Sequence, residues 1–233
     1  MPLFLVSTPI GNLGDMSPRA VTALKEAEVI AAEDTRRTGL LLHHFGISGR
    51  MVSCHDHNEG VRARELLPLL LQGKNVAVVT DAGTPGIADP AFDLIRAAIE
   101  NKVTVVPVPG ASAVLAALCA SGLPTDRFVF ENFLPVKPGK RRHRLLELKN
   151  ETRTVVLFES PFRLVRTLKD IRDVLGDVYL VAAREITKMH ETFVRGRAGE
   201  LAAYFEKNGV KGEITLCFNL TFEPGRAASH AAE

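Results

Sequence analysis

The sequence predicts an α/β protein made of repeated strand, loop and helix units, and three observations carry that reading. Short apolar runs, Leu3-Phe4-Leu5-Val6, Val29-Ile30-Ala31-Ala32, Val76-Ala77-Val78-Val79 and Val103-Thr104-Val105-Val106, have the length of strands, and Val76 to Val79 has the β-branched bias of one buried on both faces. The segments between them place apolar residues at helical spacing, as Ala20, Val21, Leu24 and Ala27 do. Three of the strands run straight into loops rich in glycine and proline.

Taken in order, the strand at 3–6 leads into Ser7-Thr8-Pro9-Ile10-Gly11-Asn12-Leu13-Gly14-Asp15, after which Ser17-Pro18 caps a helix. The strand at 29–32 ends in the charged cluster Glu33-Asp34-Thr35-Arg36-Arg37. A short strand is expected over 52–58 and a helix over 62–71. The strand at 76–79 opens onto Thr80-Asp81-Ala82-Gly83-Thr84-Pro85-Gly86-Ile87-Ala88-Asp89-Pro90, where Asp89-Pro90 reads as an N-cap and first-turn proline for a helix over 91–100. The strand at 103–106 ends in Pro107-Val108-Pro109-Gly110-Ala111-Ser112-Ala113 and passes into a helix through 120. In a parallel sheet the carboxyl ends of strands share one edge, so the three loops converge there on one ligand.

Ser121-Gly122-Leu123-Pro124-Thr125 reads as the connection to a second unit. The expected division is a domain over 1–120, a domain over 121–222 and a mobile tail over 223–233. Strands are expected at 127–130, 154–158, 178–183 and 213–220, and helices at 140–148, 162–175 and 199–208. Ser160-Pro161 repeats the cap and proline pattern.

Composition bounds the chemistry. At 233 residues with 46% hydrophobic and 24% charged residues the chain is a globular protein, and its net charge of +2 decides little. Cys54, Cys119 and Cys217 are far apart and lack metal-ligand spacing, which fits a reducing cytoplasm and argues against zinc. The N-terminus lacks the basic start of a signal peptide, and no apolar run reaches membrane-spanning length, so no membrane role is expected. There is no Gly-x-Gly-x-x-Gly after the first strand, no Gly-Lys-Ser/Thr phosphate loop, no Gly-x-Ser-x-Gly elbow and no His-Glu-x-x-His. A small ligand without phosphate is favoured.

His55-Asp56-His57 with Glu59 looks like a ligand cluster, because residues two apart on a strand face the same way, but no third fixed ligand is evident and no metal is expected. Glu33-Asp34-Thr35-Arg36-Arg37 either caps a helix or faces the crevice, and Arg184-Glu185-Ile186-Thr187-Lys188 raises the same choice. The densest basic run, Lys137-Pro138-Gly139-Lys140-Arg141-Arg142-His143-Arg144, is either a solvated face or a phosphate contact.

The stretches 7–15, 32–36, 55–59, 81–85, Gly122-Leu123-Pro124 and 184–188 occur in one order, and that order resembles the small-subunit rRNA methyltransferases of the tetrapyrrole methylase superfamily, from Leu3 to about Leu220. The resemblance implies two α/β domains with S-adenosylmethionine in the cleft between them, a homodimer, and methylation of a cytidine ribose 2′-hydroxyl in the decoding region of 16S rRNA within the small ribosomal subunit. By the same resemblance Pro9, Ala82, Gly83, Thr84, Ile87, Ser112, Ala113 and Ala182 contact the cofactor. Asp34, Glu33 and Lys188 are the candidates for a general base, Lys188 only if its pKa is depressed. Arg36, Lys140, Arg141, Arg142 and Arg184 are the candidates for RNA contact. The alternatives are a small-molecule methylase of the superfamily and a non-catalytic RNA-binding or assembly protein. Where the family often has Pro-His-Arg, this chain has Pro161-Phe162-Arg163, so no imidazole acts there.

Overall fold

The computed structural model describes residues 2–225. Two compact units divide between Ser112 and Ala113. The division falls earlier than the expected 120/121 boundary, because the helix Ala113–Ser121 (α5) packs with the second unit. The tail expected over 223–233 lies outside the described residues from 226 onward, and Glu223 forms an ion pair with Arg197.

In the first unit Leu3–Val6 (β1), Val29–Ala32 (β2), Arg50–Ser53 (β3), Val76–Val79 (β4) and Val105–Val108 (β5) form a parallel sheet in the order β3-β2-β4-β1-β5. Every residue of β2 and β4 is buried, as a strand covered on both faces requires. Strand periodicity divides them. Ile30, Ala32, Ala77 and Val79 join one core cluster, with Ala20, Ala23 and Leu24 of Pro18–Glu26 (α1) and Leu42 of Thr35–His44 (α2). Val29, Ala31, Val76 and Val78 join another, with Ala63, Leu66 and Leu70 of Glu59–Leu71 (α3) and Leu94 and Ala98 of Phe92–Glu100 (α4).

This order contains a reversal. From β1 the chain crosses β4 to reach β2, and from β4 it crosses β1 to reach β5. The helices that follow β1 and β4 pack in opposite core clusters. The crevice between the ends of β1 and β4 is therefore a topological switch point, where open α/β sheets bind ligands.

The second unit holds Phe128–Phe133 (β6), Thr154–Glu159 (β7), Tyr179–Arg184 (β8), Thr192–Arg197 (β9) and Ile214–Phe218 (β10) in a mixed sheet ordered β6-β7-β10-β8-β9. Only β6 and β7 pair in parallel. One core joins the sheet to Pro138–Glu147 (α6), Leu164–Leu175 (α7) and Ala198–Asn208 (α8) through Leu145, Leu168, Ile171, Leu201 and Phe205. Strand β9 has no counterpart among the expected elements. It is an edge strand pairing only with β8, partly exposed and carrying Arg195 and Arg197, so its apolar signal is weak.

Two expected helix starts move. The N-cap of α4 is Ala91, not Asp89, and that of α7 is Arg163, not Ser160. Pro161 and Phe162 lie in a turn, with Ser160 Oγ accepting from the Phe162 amide. The amides at the start of α4 are met from outside the local chain, since Glu59 Oε1 accepts from Ala91 N at 2.9 Å and Asp93 N at 2.7 Å.

Candidate functional site

At the switch point the loops after β1 and β4 are joined by backbone. Thr8 N donates to Gly83 O at 2.9 Å and Gly83 N donates to Thr8 O at 3.1 Å, a single antiparallel bridge between otherwise parallel strands. Side chains reinforce it. Thr8 Oγ1 donates to Thr80 O at 3.1 Å, and the hydroxyls of Ser7 and Thr84 lie 3.0 Å apart. Gly83 holds φ +86°, a left-handed conformation that a β-branched residue rarely adopts.

The third loop joins through Gly110. A Cβ at Gly110 would sit 2.9 Å from Ser7 Cβ, so glycine is what lets the loop after β5 approach the loop after β1. The convergence expected from sequence is thus present within the first unit.

The end of β2 supplies charge. Asp81 N donates to Glu33 Oε2 at 3.1 Å, Asp34 N donates to Asp81 Oδ1 at 3.1 Å, and Arg37 pairs with Asp81 Oδ2 at 3.1 Å. Asp34 is the N-cap of α2. It accepts from the Arg36 amide at 2.9 Å and from its guanidinium at 3.1 and 2.8 Å, and these bonds hold its carboxyl well below the usual carboxylate range. A carboxylate so stabilised is a poor proton acceptor, which counts against Asp34 as the base.

Asp89 behaves in the opposite way. Burial, followed by the charges of Glu33, Asp56 and Asp81, pushes its carboxyl up to about 7. Sequence reading assigned it only a capping role. The signal it offered was four carboxylates in the loops after three strands, a like-charge crowd that becomes visible only once β3, β2 and β4 are neighbours.

The cofactor candidates sort by environment. Pro9, Ala82, Gly83 and Thr84 line the bridged loops, and Ile87 is exposed beside them. Ser112 ends the first unit, Ala113 begins α5 in the second, and Ala182 is fully buried in the second unit's core on β8.

Several other candidates have structural employment. Lys188 is ion-paired with Glu213 Oε2 at 2.9 Å and Glu185 Oε1 at 3.0 Å; burial lowers its pKa, but these two bonds prevail and raise it. It therefore lacks the depressed pKa a basic lysine needs. Arg141 is buried and paired with Asp170 at 2.7 Å, and Arg142 pairs with Asp170 at 3.0 Å and Asp173 at 3.6 Å. Arg141 is thus a core ion pair instead of an RNA contact, and Arg142 is largely committed to the same helix. Lys140 is exposed. Arg184 donates to Thr192 Oγ1 at 3.1 Å and to the carbonyls of Lys211 and His190 at 3.3 Å, at the wall of a cavity of about 340 Å³. Arg36 is exposed but bound to Asp34.

The expected strand face for His55 and His57 is absent, since β3 ends at Ser53 and both lie in the loop that follows, with ring centroids 6.0 Å apart. Among the described residues no group of three or more His, Cys, Asp or Glu could hold a metal ion, and no helix is long and apolar enough to cross a membrane.

Residues 2–202 match the model of the Tetrapyrrole (Corrin/Porphyrin) Methylases. The chain is 53% identical over 215 residues to ribosomal RNA small subunit methyltransferase I of Synechocystis sp., covering 92% of this chain and 77% of that one. The chain belongs to this tetrapyrrole methylase family. Its relatives of the same description include one from Escherichia coli O157:H7, 49% identical with 92% and 76% covered, and one from Thermotoga maritima, 47% identical with 92% and 96% covered. The fold agrees. Cobalt precorrin-4 methyltransferase superposes with a TM-score of 0.70 at 19% identity, covering 96% of each chain, and a uroporphyrin-III C-methyl transferase from Thermus thermophilus complexed with S-adenyl homocysteine with 0.65 at 20%, covering 94% and 97%.

Proposed function

We propose that this methyltransferase takes its methyl group from S-adenosylmethionine and transfers it to the ribose 2′-hydroxyl of a cytidine in the decoding region of 16S rRNA, acting as a homodimer. The observation that carries the reading is the switch-point crevice bounded by the Thr8–Gly83 bridge, in a chain whose relatives are described as rRNA methyltransferases.

The residues present fit such a donor. At neutral pH S-adenosylmethionine carries a sulfonium, an ammonium and a carboxylate, a net positive charge without phosphate. The loops at 7–15 and 80–90 contain no Lys or Arg, and Glu33, Asp56 and Asp81 crowd carboxylates at this edge. A Cβ at Gly83 would meet Ile10 Cγ2 at 3.8 Å, an ordinary contact, so what singles out the glycine is its left-handed backbone, which brings the main chain to the crevice. Pro9, Ala82, Gly83, Thr84 and Ile87 would hold the donor by backbone and apolar contact, with Ser112, Ala113 and Ala182 assigned by resemblance.

When bound, the donor supplies an electrophilic methyl group. The chain's part is to orient the hydroxyl in line with it and to take the proton. A group near neutrality is suited to that transfer, which supports Asp89 as the proton acceptor. Glu33, bound to the Asp81 amide, positions the loop. Lys140, Arg36 and Arg184 remain as RNA contacts, contributing affinity through phosphates while base identity is read elsewhere.

The test is incubation of the protein with methyl-labelled S-adenosylmethionine and small ribosomal subunits from a strain lacking the gene, followed by nucleoside mapping. Label is expected on one cytidine 2′-oxygen. Label only on a base, or on a tetrapyrrole offered in parallel, contradicts the reading.

A further inference from the structure

The second unit carries an exposed aromatic surface that methyl transfer does not use. Because β6 and β7 run parallel, the loops after them leave the same edge of the sheet. Phe133 at the end of β6 is 53% exposed, Val136 in the next loop 72%, and Phe162 in the loop after β7 90%. Arg163 donates to Leu134 O at 2.8 Å and ties the two loops together, while Arg141 donates to Val136 O at 3.2 Å. Beneath them Phe158 packs against Phe130 and Phe133, with centroids 4.9 and 5.6 Å apart. The rings stand on fixed backbone and have not been left out by accident of a loose loop.

Charge distinguishes the surface further. Arg141, Arg142, Arg144 and Arg163 are each bound to carboxylates, and those carboxylates, Asp170, Glu131 and Glu159, are thereby spent. Lys137 and Lys140, at the start of α6, are exposed and pair with no carboxylate among the described residues. The uncompensated charge of the basic run thus lies beside the exposed rings. An aromatic face next to free ammonium groups suits an unpaired nucleotide, whose base stacks while its phosphate meets the cations.

We propose that Phe162, with Phe133 and Val136, is a stacking platform for one or two unpaired bases of the RNA substrate, whose phosphates are held by Lys137 and Lys140. The proposal rests on the reading of an RNA acceptor.

The chain contains no tryptophan, so Phe162→Trp installs a single reporter at a position exposed enough to accept it. A single-stranded oligoribonucleotide of cytidine and uridine is expected to quench its fluorescence, and the same strand annealed to its complement is not. With small ribosomal subunits, Phe162→Ala is expected to raise KM about tenfold with kcat little changed, and Phe162→Tyr to restore it. Replacing Lys137 and Lys140 by Ala is expected to flatten the salt slope of oligoribonucleotide binding by about 1 to 2.

Absence of quenching by the single strand, or an unchanged KM in Phe162→Ala, overturns the platform even if wild-type protein methylates the subunit. If quenching occurs and no RNA is methylated, the acceptor reading falls and the platform stands. A Phe162→Ala protein that binds RNA normally but loses self-association in sedimentation identifies the surface as a contact between copies and also overturns the proposal.

Discussion

Thr8 and Gly83 exchange both backbone hydrogen bonds, at 2.9 and 3.1 Å, across two strands whose regular residues run parallel. The exchange requires Gly83 to adopt φ +86°. Gly83→Val is expected to destabilise the protein by about 1–2 kcal/mol through the left-handed backbone and to weaken S-adenosylmethionine binding at least tenfold. Calorimetric titration checks it, and undiminished affinity removes this loop from the donor site.

Asp89 governs a pH dependence. A carboxyl with a raised pKa in the folded state favours folding when protonated, so its contribution is full below the ordinary 3.8 and is lost as pH rises through about 7. Asp89→Asn is therefore expected to match wild type near pH 4 and to be more stable at about pH 8, by of order 1 kcal/mol after allowing for the side chain's partial exposure. Thermal unfolding at both pH values measures this; a stability difference that does not change with pH contradicts the assignment.

Arg141 and Lys140 are neighbours in sequence with opposite expected behaviour. Arg141→Ala strands the buried Asp170 carboxylate, with only Arg142 left to it, and is expected to cost about 3 kcal/mol. Lys140→Ala is expected to stay within about 0.5 kcal/mol. Urea unfolding separates the two, and a tolerant Arg141 would return it to the surface.

Glu59 caps a helix it does not belong to. Removing its carboxylate in Glu59→Ala leaves the Ala91 and Asp93 amides without that acceptor and is expected to cost about 1 kcal/mol, with Glu59→Gln recovering part of it. Denaturant midpoints of the two variants decide.

What could be read from the chain follows from how local each cause is. Strands β1, β2 and β4 have the expected bounds because runs such as Val76 to Val79, buried on both faces, carry their signal in four consecutive residues. The convergence of three glycine loops was legible for the same reason, since Gly83 and Gly110 lie in the loops that immediately follow β4 and β5. Asp89-Pro90 misled because the true acceptor for α4 is Glu59, thirty residues away in the chain and adjacent only in the fold. Arg141 looked like part of a solvated run because Asp170 reaches it from α7. Asp89 itself was missed as a titrating group, since its neighbours Glu33, Asp56 and Asp81 come from different loops.

Amide hydrogen exchange with and without S-adenosylmethionine tests whether the bridged loops after β1 and β4 hold the methyl donor. Added protection is expected at the amides of 8–12 and 81–87, centred on Thr8 and Gly83. Saturating cofactor that leaves those amides unchanged while protecting others would contradict it.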